Sequence, residues 1–408
     1  MLLLKCNIED IVHKTILISL EVLKEVKGML IKSGLILVDE KLVKKDLLVK
    51  DGKIVSIEDH INEGSEEVID ANGLMVLPGI IDQHTHGGNG YDINNIGIED
   101  FEKLCEFYAS KGTTGFLASL LIDSKENLLR CIDYLKQYQK EEHSGAKLLG
   151  IHMEGPYFAQ EFKAAMPPEM IRNASVEEFD EFYDRAEGTL KMMTISGEVD
   201  NAVEVIKEGA SKGVVMAIGH SGPTYERSCQ CIEAGAKTAT HLFNAMRPFE
   251  HHTPGIVGAA LESDIYTEVI CDGHHLHPAT LRMIIKCKGV DKVIAITDSM
   301  MAAGLKDGQY KLGRMDVTVK GLDARLTGKS TRAGSVLTAI EGMKNIKAFT
   351  NLEINDIVKM TSINAAKELG IFDHKGSISI GKDADIIITD SDLNLSYTIV
   401  EGKIAYQK

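Results

Sequence analysis

Gly79-Ile-Ile-Asp-Gln-His-Thr-His86 is a β-type run that ends on two histidines, and its reading decides the fold. Residues i and i+2 of a strand share a face, so His84 and His86 point the same way. Seven further runs of the same character follow, at Thr113–Leu120, Lys147–Gly155, Leu190–Glu198, Val214–His220, Ala236–Phe243, Thr267–His275 and Lys292–Asp298. Stretches with helical spacing lie between them, among them Ile98–Lys111, Lys125–Lys140, Asn201–Lys212, Tyr225–Ala234 and Pro278–Lys286. Strands alternating with helices over residues 78–374 predict an α/β fold, a TIM-like (β/α)8 barrel. No glycine-rich dinucleotide fingerprint follows the first strand, which speaks against an open doubly wound sheet.

Outward from this middle both ends change character. Residues 29–77 are short β-rich runs, with Asp51-Gly52 as a hairpin signal, and residues 375–408 are similar. Together they predict one small β-sandwich domain assembled from both chain ends. Residues 1–28 stand apart: Ile11–Val26 is apolar at helical spacing but carries Lys14, Glu21, Lys24 and Glu25, a poor secretory signal. They are expected to be an N-terminal extension to a protein that begins, in its folded part, at Met29.

With 44% apolar and 26% charged residues the chain is globular, and a net charge of −15 argues against nucleic-acid binding. No apolar run reaches 18 residues, so no membrane span is expected. The seven cysteines are odd in number and scattered, as in reduced cytoplasmic proteins.

The informative pattern is what terminates each strand. The runs end in His84 and His86, in Glu154, in His220, in His241 and in Asp298. Carboxyl ends of barrel strands converge on one mouth, so these six side chains are expected to meet there. Imidazole and carboxylate suit two divalent metal ions, zinc or iron first, manganese or cobalt also. Glu154 can bridge the pair, with His84 and His86 on one ion and His220 and His241 on the other. Asp298 is then free to move the proton as general acid/base.

The order Pro78-Gly-Ile-Ile-Asp-Gln-His-Thr-His86, His152-Met-Glu-Gly-Pro156, Gly219-His-Ser221, His241-Leu-Phe-Asn-Ala-Met246, Asp272-Gly-His-His275 and Thr297-Asp298 resembles the N-acetylglucosamine-6-phosphate deacetylases of the amidohydrolase superfamily. The resemblance runs from about Met29 to the C-terminus. It implies deacetylation of an amino-sugar phosphate in amino-sugar catabolism, by a homodimer. It implies that Asn244 and Ala245 contact the sugar phosphate and that His275 contacts substrate.

Three positions depart from the family pattern. Met166 stands where a substrate-contacting histidine is usual, His252 where an arginine pairs with phosphate, and Arg332 where an apolar residue lines the acetyl pocket. Methionine donates no hydrogen bond, and histidine lacks the two-pronged fork of arginine. Either Arg247 or His251 serves the phosphate instead, or Arg332 meets an anion elsewhere on the substrate. A galactosamine-type substrate, another amidohydrolase reaction such as that of a D-aminoacylase, and an inactive binding barrel are the alternatives these departures leave open.

Overall fold

The computed structural model describes residues 28–408 apart from 65, 66 and 142, so the expected extension lies, but for Gly28, outside the described residues. Eight parallel strands form the centre: β1 Ile80–Thr85, β2 Thr113–Leu120, β3 Lys147–Glu154, β4 Leu190–Ile195, β5 Val215–Ile218, β6 Ala236–Ala239, β7 Tyr266–Ile270 and β8 Val293–Ile296. Neighbours in sequence are neighbours in the sheet. All eight correspond to runs recognised in the sequence. The strands are largely buried because helices cover the outside and side chains fill the inside; every residue of β2 is buried.

The sheet closes between β1 and the segment just after β8. Asp298 N–H donates to His84 O at 2.8 Å, and His86 N–H to Ser299 O at 2.8 Å. Three of the candidate site residues, His84, His86 and Asp298, are therefore part of the closure itself.

Ser124, Ser175 and Thr224 cap their helices, Lys125–Gln139, Val176–Ala186 and Tyr225–Glu233, through side-chain oxygens that accept backbone N–H groups. Gly255–Glu262 is a helix the sequence did not signal: Ile256, Val257, Ala259 and Ala260 are all buried, so no polar face marks a helical period. The bottom of the barrel is plugged by the helix Asn364–Glu368, after which Leu369 packs on Leu117, Met192, Val215 and Ala217.

The two chain ends do form one sheet, of eight strands. Its order runs from Lys403–Gln407 through Leu395–Val400, Ile386–Thr389, Met75–Pro78, Met29–Val38 and Lys41–Lys50 to Lys53–Glu58, with Glu67–Asp70 also on Met29–Val38. Asp51 and Gly52 turn the last hairpin with φ of 50° and 74°, the doubly positive pair that a two-residue hairpin favours. Period-2 alternation divides the faces. Ile36, Val76, Ile386 and Ile388 enclose a core of the sheet's own, whereas Leu37, Met75, Leu77 and Ile387 belong to the barrel core.

A second sheet was not anticipated: Gly308–Leu312, Met315–Lys320 and Asp323–Leu326 form a three-stranded antiparallel meander after β8. Its apolar face packs Leu312, Val317 and Leu326 against Phe158, Met166 and Met300. It thus roofs one side of the barrel mouth. Among the described residues no helix is long and apolar enough to cross a membrane.

Lys375 pins the end sheet to the turn before it. Its ammonium lies 2.9 Å from Asp383, 2.7 Å from Asp385 and 3.2 Å from Glu401, and is buried. Removing one partner of a buried ion group leaves unpaired charge behind. Lys375→Met is expected to lower unfolding free energy by about 3 kcal/mol in denaturant titration. A change below about 0.5 kcal/mol would show that the clasp is idle.

Candidate metal centre and substrate cavity

The six strand-end residues meet. Glu154 closes β3, while His220, His241 and Asp298 each stand two positions beyond the last residue of β5, β6 and β8. All three adopt left-handed backbone, with φ of 49°, 31° and 49°. Non-glycine residues there cost about 1–3 kcal/mol each and persist where the surroundings over-determine them. The strain swings each side chain from its strand towards the barrel axis.

Two triplets result: His84, His86 and Asp298, and Glu154, His220 and His241, each with ligand atoms within 4.8 Å of one another and all buried. They adjoin. Glu154 Oε1 lies 3.4 Å from His84 Nε2, 3.1 Å from His220 Nε2 and 3.2 Å from His241 Nε2. Its other oxygen lies 3.3 Å from His86 Nε2, and Asp298 Oδ1 is 3.1 Å from that same nitrogen.

Tautomers decide what this crowd means. His86 Nδ1 donates to Ser119 O at 3.1 Å and His220 Nδ1 to Phe162 O at 3.0 Å, since a carbonyl can only accept. His84 Nδ1 donates to the Glu268 carboxylate at 3.2 Å. In their neutral form the rings of His84, His86 and His220 therefore carry a lone pair on Nε2, and His84 and His86 approach to 3.2 Å, and His220 and His241 to 3.1 Å. Lone pairs aimed at one another repel unless a proton or a metal ion lies between them. Ligand atoms around a tetrahedral zinc at about 2.0–2.1 Å sit roughly 3.3–3.4 Å apart, close to the spacings here. The donor set and its spacing fit divalent metal.

Electrostatics agree. Burial pushes the His86 imidazole down, but Asp298 and Glu154 outweigh it and lift it to about 9. His84 is likewise lifted, burial being overcome by Glu154 and Glu268. Glu154 is held well below the usual range, its burial overcome by His84, His220 and His241. The pocket demands cationic charge.

Two important carboxylates escaped the sequence reading. Glu268, in the middle of β7, is fully buried and orients His84. Gln83 Nε2 donates to Glu268 at 2.9 Å and to Glu368, from the plugging helix, at 2.8 Å. Burial pushes the Glu368 carboxyl up to about 8, so it is mainly neutral at pH 7. A glutamate inside an apolar barrel strand was the available signal, because such a charge needs a partner. His152, two residues before Glu154, stays outside the metal triplets. It bonds Ser119 at 3.0 Å and Thr194 at 2.8 Å, and burial keeps its imidazole neutral.

Above the triplets opens a cavity of about 310 Å³. Asn244, Ala245, His275, Met166 and Arg332 all line it. His252 does not: it is exposed on the loop with Glu250, whose carboxylate takes its N–H at 2.9 Å. Within one chain, the position at which the resemblance implies a phosphate-pairing arginine thus does not line the cavity.

A (β/α)8 barrel carrying histidines and carboxylates at its carboxyl mouth defines a metal-dependent hydrolase of the amidohydrolase type. Residues 75–405 match the profile of the Amidohydrolase family, and the chain belongs to that family. N-acetylglucosamine-6-phosphate deacetylase of Bacillus subtilis (strain 168) is 39% identical over 387 residues, covering 93% of this chain and 98% of the relative. N-acetylgalactosamine-6-phosphate deacetylase of Escherichia coli O157:H7 is 30% identical over 360 residues, 88% of this chain and 94% of its own. Among solved structures, a mutant of the Mycobacterium smegmatis N-acetyl-D-glucosamine-6-phosphate deacetylase in complex with N-acetyl-D-glucosamine-6-phosphate superposes with a TM-score of 0.87 at 30% identity, covering 93% of this chain and 100% of that one.

Zinc returned to protein stripped by a chelator is expected to raise the thermal unfolding midpoint, by a free energy of RT ln(1 + [L]/Kd). Glu154→Gln should abolish most of that rise. Glu268→Gln should weaken metal affinity about 10–100-fold, read by competition with a chromogenic chelator. Unchanged affinity in both variants would show that metal binds elsewhere.

Proposed function

We propose that this chain hydrolyses the N-acetyl amide of N-acetylglucosamine-6-phosphate, releasing acetate and glucosamine-6-phosphate in amino-sugar catabolism. The observation that carries the reading is the convergence of four imidazoles and two carboxylates on the floor of a cavity also lined by Asn244, Ala245 and His275. Its likeness to deacetylases across nearly the whole chain supports the choice of substrate.

His84, His86, Glu154, His220 and His241 would hold two divalent ions, zinc or iron, with Glu154 placed between the histidine pairs. When bound, such ions polarise the amide carbonyl and bring water towards deprotonation at neutral pH. The chain supplies the rest. Asp298, with Oδ1 turned to His86, takes the proton of the attacking water and returns it to the amine nitrogen as the carbon–nitrogen bond breaks. Burial of Asp298 is outweighed by His86 and His84, so its carboxyl is ionised and ready to accept. Glu268 fixes His84 in the tautomer that presents Nε2. Asn244 and Ala245 hold the sugar phosphate, and His275, clamped by Asp272 at 2.6 Å, meets the sugar. The family resemblance supports a homodimer. Free buried thiols at Cys105, Cys131, Cys231 and Cys271 support a reducing cytoplasm.

The Escherichia coli relative named for the galactosamine epimer gives a second reading a specific basis. Steady-state kinetics with both N-acetylhexosamine 6-phosphates and with unphosphorylated N-acetylglucosamine separates the two. The glucosamine phosphate should show the highest kcat/KM; preference for the epimer would replace it. Asp298→Asn should lower kcat about 10²–10⁴-fold while metal remains bound. Full turnover by that variant would remove Asp298 from the mechanism.

A further inference from the structure

The wall of the cavity carries one charge that removal of an acetyl group does not use. Leu121, Met166 and Leu312 make this wall apolar, and Arg332 stands among them, the sole Lys or Arg lining the cavity among the described residues. Its place is fixed from both sides. Ser335 N–H donates to Asp298 O at 2.7 Å, and Ala333 N–H to Ala324 O at 3.1 Å in the three-stranded sheet. Arg332 itself pairs backbone with Arg325.

The guanidinium is only partly satisfied. Its one charged partner among the described residues is Asp323, 3.3 Å from Nε. That contact lacks hydrogen-bond alignment, and the buried Nε has no acceptor. The other Asp323 oxygen is taken by Arg325 Nε at 2.6 Å. Two guanidiniums therefore share one carboxylate, which leaves one positive charge in excess at a residue that lines the cavity.

The location says which end of a substrate meets it. Around the mouth, Asn244 and Ala245 follow β6 and His275 follows β7, while Arg332 lies beyond Asp298, after β8. Leu121 follows β2 and Met166 follows β3, completing the opposite side. With the sugar phosphate at Asn244 and Ala245, as the function proposed above places it, the acyl group points towards Arg332.

We propose that Arg332 makes the acyl end of this cavity an anion-accepting subsite, and that the enzyme also hydrolyses amino-sugar phosphates whose N-acyl chain ends in a carboxylate, such as an N-succinyl group. This inference rests on the amide-hydrolase reading. The chemistry is unchanged: water oxygen bonds the acyl carbon, the carbon–nitrogen bond breaks, the amine takes the proton and a dicarboxylate leaves. The distal carboxylate lies in the Arg332 fork, a geometry that guanidinium favours over ammonium.

The test compares kcat/KM for N-succinyl- and N-acetylglucosamine-6-phosphate in metal-loaded wild type, Arg332→Leu and Arg332→Lys. Wild type is expected to turn over both, and Arg332→Leu to lower the succinyl-to-acetyl ratio about tenfold or more. Arg332→Lys should retain part of the preference, which separates charge from misfolding. Three results overturn the proposal: wild type that hydrolyses the acetyl but not the succinyl compound, an unchanged ratio in Arg332→Leu, or a rise in KM for both phosphorylated substrates that spares unphosphorylated N-acetylglucosamine. The last would put Arg332 at the phosphate. Inability of wild type to hydrolyse either compound would sink the function proposed above and this subsite with it.

Discussion

Ring nitrogens and carboxylate oxygens crowded into one buried cluster are the constraint on which this molecule turns. Four imidazoles and two carboxylates, all buried, bring these atoms to 3.1–3.4 Å between nearest neighbours. Such a cluster persists only if the scaffold forces it together and cationic charge repays the repulsion. The scaffold does so with eight converging strands, three left-handed residues and a barrel seam that runs through His84 and Asp298. Each device has a cost, and their coincidence at one mouth marks the place where folding free energy is traded for chemistry.

The histidines are aimed from behind. Ser119 O, Phe162 O and the Glu268 carboxylate each take an Nδ1 proton, so every oriented ring offers its other nitrogen forward. Behind Glu268 the line continues through Gln83 to Glu368 on the plugging helix. A polar column thus passes through the apolar interior from the closed end of the barrel to its reactive end. Orientation of His84 is in this way tied to the seating of a helix far from it in sequence.

Much of this was legible in the chain. The eight strand runs, the DG hairpin and the strand-end His, Glu and Asp residues follow from period-2 patterning and turn chemistry, which are local. What was hidden is non-local. Glu268 sits in a run read only as apolar strand, and its partner Glu368 is 100 residues on, so neither advertises the other. Gly255–Glu262 is apolar all round and shows no helical period. The meander at 308–326 does alternate buried and exposed positions, but over strands of only four to six residues set among polar ones. His252 followed a position in a family pattern, and the fold leaves that loop outside the cavity of its own chain. Left-handed φ at His220, His241 and Asp298 has no residue-type signature at all, because glycine is absent from those positions for chemical reasons.

The end sheet joins Met75–Pro78 to Ile386–Thr389, so its middle pair unites segments more than 300 residues apart. On the ribosome the first strands emerge with one edge and an apolar face, Ile36 and Val76 included, long before their mates exist. Until the final stretch leaves the exit tunnel that face must be shielded by transient pairing or by a chaperone. Late closure of this kind makes the nascent polypeptide sensitive to loss of its last few dozen residues, even though every group at the reactive mouth would already have been translated.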